Sequence, residues 1–428
     1  MLMAREPLIQ DRQTIWKSFG LQLVASVVAG VVIPAIFFMR FLLQSGLAAQ
    51  GVYNSIAASI FACVLATTFL RKVTVFPGTR QLSYLLPSYL GSYSIALALI
   101  FALRQNYNRP FLALSLLLSI VAAFMLSIYV RRYSRRRFHV VPFGRIEMVY
   151  DTPEADWILL DRPEPPADVN AVIVADLKYD HAPEWERMLA DAAIRGHVVY
   201  HTKQLRESLT GKVSIDHLSE NSFGSLVPNL AYVKGKRLID AATALLLLPA
   251  LLPLFGIIAL LIRLDSPGPV FFRQTRMGYR GRLFSIVKFR TMRVRPPSDA
   301  DHINDAMTAD NDMRITKIGR FLRTSRIDEL PQVFNVLRGE MSWIGPRPEA
   351  VALSEWYNSD IPFYAYRHIV RPGITGWAQV NQGHVTDITS IGAKLNYDFY
   401  YIKNFSFWLD TLIVFRTVKT MLSGFGAR

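Results

Sequence analysis

The sequence predicts a membrane protein of three parts: a bundle of four membrane-spanning helices, a small α/β domain, and an α+β domain attached to a further apolar helix. Three observations support this fold class. The 428 residues are 51% hydrophobic, long apolar stretches occur in only two regions, and the polar remainder alternates short apolar runs with helical patterns. We place the three parts at residues 1–138, 139–230 and 231–428.

Four apolar stretches define the first part. Each has close to the ~20 residues that a membrane-spanning helix needs. The polar faces that a soluble helical bundle would show are nearly absent. No small-residue cleavage site follows the first stretch, which argues against a signal peptide. The stretches are Phe19–Leu43, Val52–Leu70, Leu82–Leu103 and Phe111–Val130.

Basic residues indicate how this bundle is oriented. They are concentrated before the first stretch, between the second and third, and after the fourth, which places both ends of the bundle in the cytoplasm. The net charge of +15 fits a basic surface beside an anionic leaflet and anionic substrates. No nucleic-acid recognition motif accompanies the charge, so we expect no nucleic-acid partner. The single cysteine, Cys63, excludes a disulfide within the chain.

The second part has a soluble composition and a strand–helix–strand pattern. AVIVAD (Ala171–Asp176) is typical of a buried strand, PEWERMLADAAIRG of an amphipathic helix, and HVVYH of another strand. This order predicts a small parallel, Rossmann-like domain. The Gly-rich loop of dinucleotide sites is missing at Leu177–Asp180, so we favour a structural or regulatory module over a nucleotide site.

A fifth apolar stretch, Ala241–Ile262, opens the third part. It is long enough to span a membrane, yet basic residues flank both of its ends, which places both ends in the cytoplasm. Pro249 and Pro253 each remove a helix hydrogen bond and bend the axis. A re-entrant helix, which enters and leaves by the same leaflet, satisfies both facts. A straight fifth span is the alternative.

Adjacent acids in a cationic field carry the chemistry of the third part. Asp328 and Glu329 can hold a divalent metal and offer one oxygen as a nucleophile. The surrounding cations suit a substrate with several phosphate charges. Three of the cations, spaced i, i+3, i+6 from Arg320 to Arg326, are expected to share a helix face. The cations are Arg314, Lys317, Arg320, Arg323, Arg326, Arg338, Arg347 and Arg371.

Two further elements surround this segment. PVFFRQTRMGYRGRLFSIVKFRTM predicts a β-hairpin that turns at Gly278 and Gly281. Lys288 and Arg290 end its second strand, and their place ahead of the cationic segment favours phosphate contact over a solvated edge. SFWLDTLIVFRTVKTML predicts an amphipathic helix suited to the membrane interface or the core. Together these features indicate phosphoryl transfer.

Several motifs of the third part resemble one known family. KR-x-x-D before the proline-containing helix, KFRTM, DELPQ-x-x-NVL, GPRP and RPGITGWAQVN are similar, in order, to the bacterial sugar transferases. These are the monotopic phosphoglycosyl transferases that start glycan assembly on a polyprenyl phosphate. The match runs from about Lys236 to Arg428. The four spans and the α/β domain resemble long-form members, which initiate exopolysaccharide, capsule or O-antigen synthesis.

The resemblance implies a specific reaction. A sugar 1-phosphate would move from a UDP-sugar to undecaprenyl phosphate with Mg²⁺, releasing UMP at the cytoplasmic face of the bacterial inner membrane. UDP-glucose or UDP-galactose is the expected donor, although N-acetylated sugars stay open. Asp328 would be the nucleophile that forms an aspartyl–phosphosugar, and Glu329, beside it, would bind the metal.

Other residues match the polar positions of the family's site. The catalytic set is completed by Lys288 and Asp398. Arg323 and Arg371 are expected to bind substrate at such positions, and Arg347 matches the region that meets the nucleotide. Arg290 joins them as a substrate-binding residue because of its place at the end of the hairpin strand. The family's re-entrant helix breaks at Ser-Pro, which falls on Leu252-Pro253 here, so leucine replaces serine and Pro249 is additional. We expect the kink to persist.

Two alternative functions stay open at this point. The chain is then either a membrane scaffold with a degenerate transferase domain, or a phosphotransferase that joins donor and acceptor without a covalent intermediate. A homodimer through the spans or the middle domain is also left open.

Overall fold

A computed structural model describes residues 18–38, 47–79, 81–133, 137–147, 156–168, 171–215, 228, 230–293, 314–382 and 388–423. The chain divides into two compact units, Met1–Gly211 and Lys212–Arg428. The second unit starts ahead of residue 231, and within it the backbone N–H of Val213 donates to the carbonyl of Asn396 (2.9 Å).

Four long apolar helices lie in the first unit, at the four places where the sequence predicts them. Each contains a segment long and apolar enough to cross a membrane. The first helix includes a π-helical stretch, Val28–Val32. The helices are α1 (Phe19–Phe37), α2 (Leu47–Val73), α3 (Gln81–Ala102) and α4 (Arg109–Tyr133).

Small and hydroxylated residues hold these helices together. The hydroxyl of Tyr93 on α3 lies 2.7 Å from that of Ser115 and 3.1 Å from that of Ser119, both on α4. A Cβ added to Gly30 would lie 2.0 Å from the Ser119 hydroxyl, so the backbones approach closely there. Such interhelical hydrogen bonds contribute about 0.6 kcal/mol each on average within membranes.

A parallel four-stranded sheet completes the first unit and confirms the predicted strand–helix–strand order. The strand order is β2-β1-β3-β4, and all three pairings are parallel. Ile173 and Val174 on β3 are fully buried because helices cover both faces. The elements are β1 (Arg137–Val140), β2 (Asp156–Leu159), β3 (Val172–Ala175), α5 (Pro183–Ile194), β4 (Val198–His201) and α6 (Thr202–Thr210).

The second unit is an α+β domain that contains the predicted hairpin and the predicted C-terminal helix. Its strands pair as β5-β6, antiparallel, and β7-β8, parallel. The elements are α7 (Leu230–Asp265), β5 (Phe271–Met277), β6 (Leu283–Phe289), α8 (Lys317–Thr324), α9 (Val333–Arg338), β7 (Ser342–Ile344), α10 (Val351–Asp360), β8 (Gly373–Thr375), α11 (Trp377–Gln382), α12 (Ile388–Lys403) and α13 (Phe407–Ser423).

Helix α7 stays helical through both Pro249 and Pro253. One face of its middle section packs into the core of the second unit through Ala244, Phe255 and Ile258. The opposite face exposes a row of large apolar side chains. The exposed residues include Leu245, Leu246, Leu252, Ile257, Leu260 and Leu264.

The N-terminal end of α7 is fixed by a buried ionic network. Lys236 donates to Asp410 on α13 (2.6 Å) and lies 3.8 Å from Asp240. The hydroxyls of Tyr232 and Tyr401 also donate to Asp410, at 2.5 and 2.8 Å. This network explains the lysine and aspartate of the KR-x-x-D motif as anchors of the helix.

The C-terminal end of α7 is fixed by the same unit. Arg290, at the end of β6, donates to the carbonyls of Ser266 (2.6 Å) and Pro267 (2.8 Å) just beyond the helix. Asp265 accepts from the backbone N–H of Ile318 (3.3 Å). Both ends of α7 are therefore held by one domain.

Candidate active site

The acidic pair lies in a short 3₁₀-helix, Ile327–Gln332, directly after α8. Helix α8 ends at Thr324, and Arg326 adopts a left-handed conformation (φ 59°) that redirects the chain. The prediction that Arg326 shares a helix face with the preceding arginines is therefore wrong. A left-handed residue other than glycine costs about 1–2 kcal/mol, and such strain clusters at functional sites.

A buried asparagine fixes this segment against the hairpin. The side chain of Asn335 on α9 accepts from the N–H of Val287 (3.1 Å) and donates to the carbonyl of Ser285 (2.7 Å). The amide side chain of Asn335 thus bonds the backbone N–H and carbonyl groups of β6 as a neighbouring strand would. As a result, Lys288 on β6 lies against the acidic pair.

Glu329 is surrounded by cations. Its Oε1 accepts from Lys288 Nζ (2.9 Å) and from one guanidinium nitrogen of Arg347 (2.8 Å), and its Oε2 lies 3.4 Å from the other. Arg326 is 3.9 Å away. Burial alone would raise the pKa of Glu329, but Arg347 and Lys288 hold that pKa below its ordinary value. Glu329 is therefore a carboxylate anion.

Asp328 has a contrasting environment. It is 9% exposed, and its Oδ1 is buried without a hydrogen-bond partner. Burial, together with the neighbouring charge of Glu329, raises the pKa of Asp328 to about 6, against the attraction of Lys288 and Arg347. A carboxylate that lacks hydrogen bonds keeps its lone pairs available, which suits a nucleophile.

The segment Pro346–Glu349 carries Arg347 to the acidic pair. Its four successive carbonyls accept, in order, from the Gly373 N–H (2.9 Å), Arg367 (2.9 Å), Arg276 (3.1 Å) and the Met277 N–H (3.1 Å). Such a pinned backbone fixes the arginine that it carries.

The glycines around this segment allow backbones to meet. A Cβ on Gly345 would lie 2.3 Å from the carbonyl of Arg371, and one on Gly373 would lie 2.1 Å from the N–H nitrogen of Gly345. The glycines of the GPRP and RPGITG motifs are therefore required for the close approach of β7 and β8.

The structure brings together only part of the predicted set. Asp328, Glu329, Lys288 and Arg347 form one cluster. Arg371 lies apart from it: its Nε donates to the carbonyl of Gly339 (3.0 Å), and its guanidinium lies 5.0 Å from the Tyr279 ring. Arg371 lines a small cavity with Lys236 and Arg237.

Three other predicted residues also stand outside the cluster. Arg290 is buried against the end of α7, where it satisfies carbonyl groups. Arg323 lies on α8, half-buried. Asp398 is 1% exposed and pairs with Arg367 (2.8 Å) rather than with the acidic pair.

Two residues of the site were missed by the sequence reasoning. Arg367 joins Asp398 to the Arg347 backbone, and Glu349 accepts from Lys394. An arginine within the aromatic run FYAYRH was the available signal. Aromatic residues are often buried, and an arginine that is buried among them needs an anionic partner.

The donor set fits Mg²⁺. Magnesium takes oxygen ligands and is commonly held by one or two carboxylates together with substrate phosphates. Asp328 Oδ1 is a buried carboxylate oxygen without a partner, and Glu329 lies beside it. Within the described ranges, no cluster of three or more His, Cys, Asp or Glu residues could hold a metal. The pair would therefore share such an ion with substrate phosphates.

Comparisons with known proteins identify the family. A model of the bacterial sugar transferase family matches residues 231–424. The UDP-N-acetylgalactosamine-undecaprenyl-phosphate N-acetylgalactosaminephosphotransferase of Aeromonas hydrophila is 43% identical over 376 residues, 88% of both chains.

Two relatives with another sugar in their names match less than half of this chain. The UDP-glucose:undecaprenyl-phosphate glucose-1-phosphate transferase of Caulobacter vibrioides is 44% identical over 202 residues, 47% of this chain and 74% of the relative. That of Escherichia coli K12 is 46% identical over 185 residues, 43% of this chain and 39% of the relative.

Proposed function

Because the chain belongs to the bacterial sugar transferase family, as its motifs predicted, we propose that it transfers a sugar 1-phosphate from a UDP-sugar to undecaprenyl phosphate through a covalent intermediate on Asp328. The proposal rests on one observation. Two adjacent buried carboxylates differ in their contacts: Glu329 is bound by Arg347 and Lys288, whereas Asp328 Oδ1 has no partner.

The first step forms the intermediate. A carboxylate oxygen of Asp328 attacks the β-phosphorus of the UDP-sugar, and the bond from that phosphorus to the bridging oxygen breaks. UMP leaves with the bridging oxygen, and the sugar 1-phosphate stays on Asp328. Lys288 and Arg347 stand beside the pair, where they stabilise charge on the transferring phosphoryl group.

The second step transfers the sugar 1-phosphate from Asp328 to the lipid. An oxygen of undecaprenyl phosphate attacks the phosphorus, and the bond to Asp328 breaks, which restores the carboxylate. Because UMP departs before the lipid phosphate enters, one pocket serves a water-soluble donor and a membrane-bound acceptor.

Mg²⁺ completes the site in this proposal. Asp328 and Glu329 would hold the ion, which when bound neutralises diphosphate charge and so helps UMP to depart. Glu329 remains the anion that orders Lys288 and Arg347.

The geometry of α7 supports a catalytic unit on the cytoplasmic side of the bacterial inner membrane. Asp240 and Asp265 would lie about 37 Å apart on a straight helix, which is more than the ~30 Å hydrocarbon core. Yet both ends contact the same polar domain. A re-entrant α7 keeps that domain on one side, and its exposed leucines face lipid.

Three UDP-sugars are candidate donors. The sequence resemblance favours UDP-glucose or UDP-galactose. The Aeromonas relative, which matches both units, is named for N-acetylgalactosamine. UDP-N-acetylgalactosamine therefore joins the two hexose donors as a first substrate to test.

A screen of UDP-sugars with the purified protein and undecaprenyl phosphate tests this function. We expect UMP release and a sugar-diphosphate lipid product with one of these donors, and loss of both in excess EDTA. Asp360→Asn, at an exposed position, is the matched control for Asp328→Asn and should keep full activity. UMP release by no donor would instead support the scaffold alternative. Undiminished release in EDTA would contradict the metal-dependent mechanism.

A further inference from the structure

We infer that Arg367, anchored by Asp398, is a positioning residue that holds Arg347 against Glu329. The inference rests on the proposed function and adds a residue that does not itself touch the acidic pair. It also gives Asp398 a role through Arg367 instead of direct contact with substrate.

The Arg367–Asp398 pair is almost completely buried and fully hydrogen-bonded. The side chains are 3% and 2% exposed. Two guanidinium nitrogens of Arg367, Nε and one terminal nitrogen, lie 3.2 and 2.8 Å from Asp398 Oδ2, and the other terminal nitrogen donates to the Tyr364 hydroxyl (2.7 Å). A guanidinium with all three nitrogens bonded cannot rotate, so its orientation is fixed.

The fixed guanidinium reaches the active site through the backbone. The nitrogen that contacts Asp398 at 2.8 Å also donates to the carbonyl of Arg347 (2.9 Å). The guanidinium of the same residue, Arg347, donates to Glu329. The chain of contacts therefore runs from Asp398 through Arg367 and the Arg347 carbonyl to Glu329.

This donor is not replaceable by the neighbours. Gly373, Arg276 and Met277 hold the adjoining carbonyls, so only Arg367 holds the carbonyl of Arg347 among the contacts of the described residues. Lysine at position 367 would keep the charge beside Asp398. Its single nitrogen would lose the planar fork that bonds Asp398, Tyr364 and the carbonyl together.

The test compares Arg367→Lys and Asp398→Asn in the full-length protein. We expect Arg367→Lys to lower kcat/KM by about 100-fold, as small misplacements of catalytic groups do. Because Arg347 acts on the transferring phosphoryl group, the loss should appear in kcat, and KM for the UDP-sugar should change by less than about threefold. Asp398→Asn keeps an acceptor for Arg367 and should show the same loss of kcat in weaker form.

Asp410→Asn is the matched control. Asp410 is also buried and also paired with a cation, Lys236, in the same unit. Its variant should lose thermal stability, while the folded protein keeps kcat and KM within about threefold of the wild-type values. In an Arg347→Lys background, Arg367→Lys should lower kcat/KM by less than about threefold, since the two act as one unit.

A kcat within about threefold of the wild-type value in both folded Arg367→Lys and folded Asp398→Asn would overturn the inference. Asp398→Asn supplies this measurement if Arg367→Lys does not fold. A wild-type protein that transfers no sugar phosphate would overturn the proposed function instead, so the two failures are distinguishable.

Discussion

The neighbouring carboxylates of Asp328 and Glu329 can have different chemical roles because their surroundings differ. Glu329 has Lys288 and Arg347 within 2.9 Å and stays ionised. Asp328 is buried beside that negative charge, so ionisation is harder and its pKa rises to about 6. An anion with few hydrogen bonds is the more reactive of the two. The contacts of the two residues therefore fit the proposed division, in which Glu329 orders the cations and Asp328 is the nucleophile.

The pH dependence of transfer follows from the raised pKa of Asp328. The nucleophile must be deprotonated, so activity should be full above pH 7 and fall about tenfold per pH unit below about 6. Initial rates of UMP release between pH 5 and 8 would measure this limb. Lys288→Met removes an opposing positive charge and should shift the limb to higher pH. A wild-type limb below pH 4.5 would contradict the assignment.

The sequence predicted the members of the cluster because they lie in recognisable motifs, but it could not predict their contacts. Asp328, Glu329, Lys288 and Arg347 do meet. Arg290 and Asp398 have the same residue types, yet their partners are α7 and Arg367. Which cation meets which anion depends on packing that spacing along the chain does not encode.

Helix α7 combines a buried face, an apolar exposed face and two polar ends. Its core contacts at Ala244, Phe255 and Ile258 run along one side. Leu246 and Leu264, both more than three-quarters exposed, lie on the other. Burial of such side chains in lipid contributes about 1.5–3 kcal/mol each. The helix is therefore suited to attach the catalytic domain to a bilayer.

Both ends of α7 should react with a cysteine reagent from the cytoplasmic side only. The basic flanks and the anchoring of both ends to one domain give this expectation. Lys234→Cys and Arg282→Cys, both at exposed positions, serve as reporters in a Cys63→Ser background. Labelling would use intact cells and inverted vesicles with a membrane-impermeant maleimide.

Asn106→Cys, exposed between α3 and α4, is the control for the opposite side. It should label in intact cells, where the two reporters do not. Labelling of Lys234→Cys in intact cells while Arg282→Cys stays protected would show that α7 is a true span.

Element types were predictable from periodicity and turn residues, and element ends were not. Four long apolar helices, the hairpin β5–β6 and the helix α13 appear where their patterns place them. The prediction that Arg320 and Arg326 share a helix face is wrong because Arg326 adopts a left-handed backbone conformation. Helical spacing continues past that residue, so the pattern contains no stop signal.

The candidate active site belongs to the second unit, whereas the helices α1–α4 and the parallel sheet belong to the first. The acidic pair, its cations and both anchored ends of α7 all belong to the unit Lys212–Arg428. The family match, residues 231–424, falls within that unit. The first unit has its own core, with Ile173 and Val174 fully buried. Each unit thus has the internal packing of an independent domain.

A protein truncated to begin at Lys212 should still catalyse transfer. It retains the contacts of Val213 with Asn396 and the whole cluster around Glu329. We expect UMP release in detergent or nanodiscs, with a lower melting temperature if contacts made through the bundle are lost. The same truncation with Asp328→Asn gives the background. Absence of transfer by a folded, membrane-bound truncation would mean that the first unit contributes to the site.

Trapping of the covalent intermediate tests the nucleophile most directly. The protein is mixed with its donor, labelled with ³²P at the β-phosphate, in the absence of undecaprenyl phosphate. We predict label on the protein, located on the peptide that contains Asp328, discharged to lipid when undecaprenyl phosphate is added, and absent from Asp328→Asn. Rapid product formation by the wild type with no label ever trapped, or undiminished turnover by Asp328→Asn, would contradict a phosphosugar carried by Asp328.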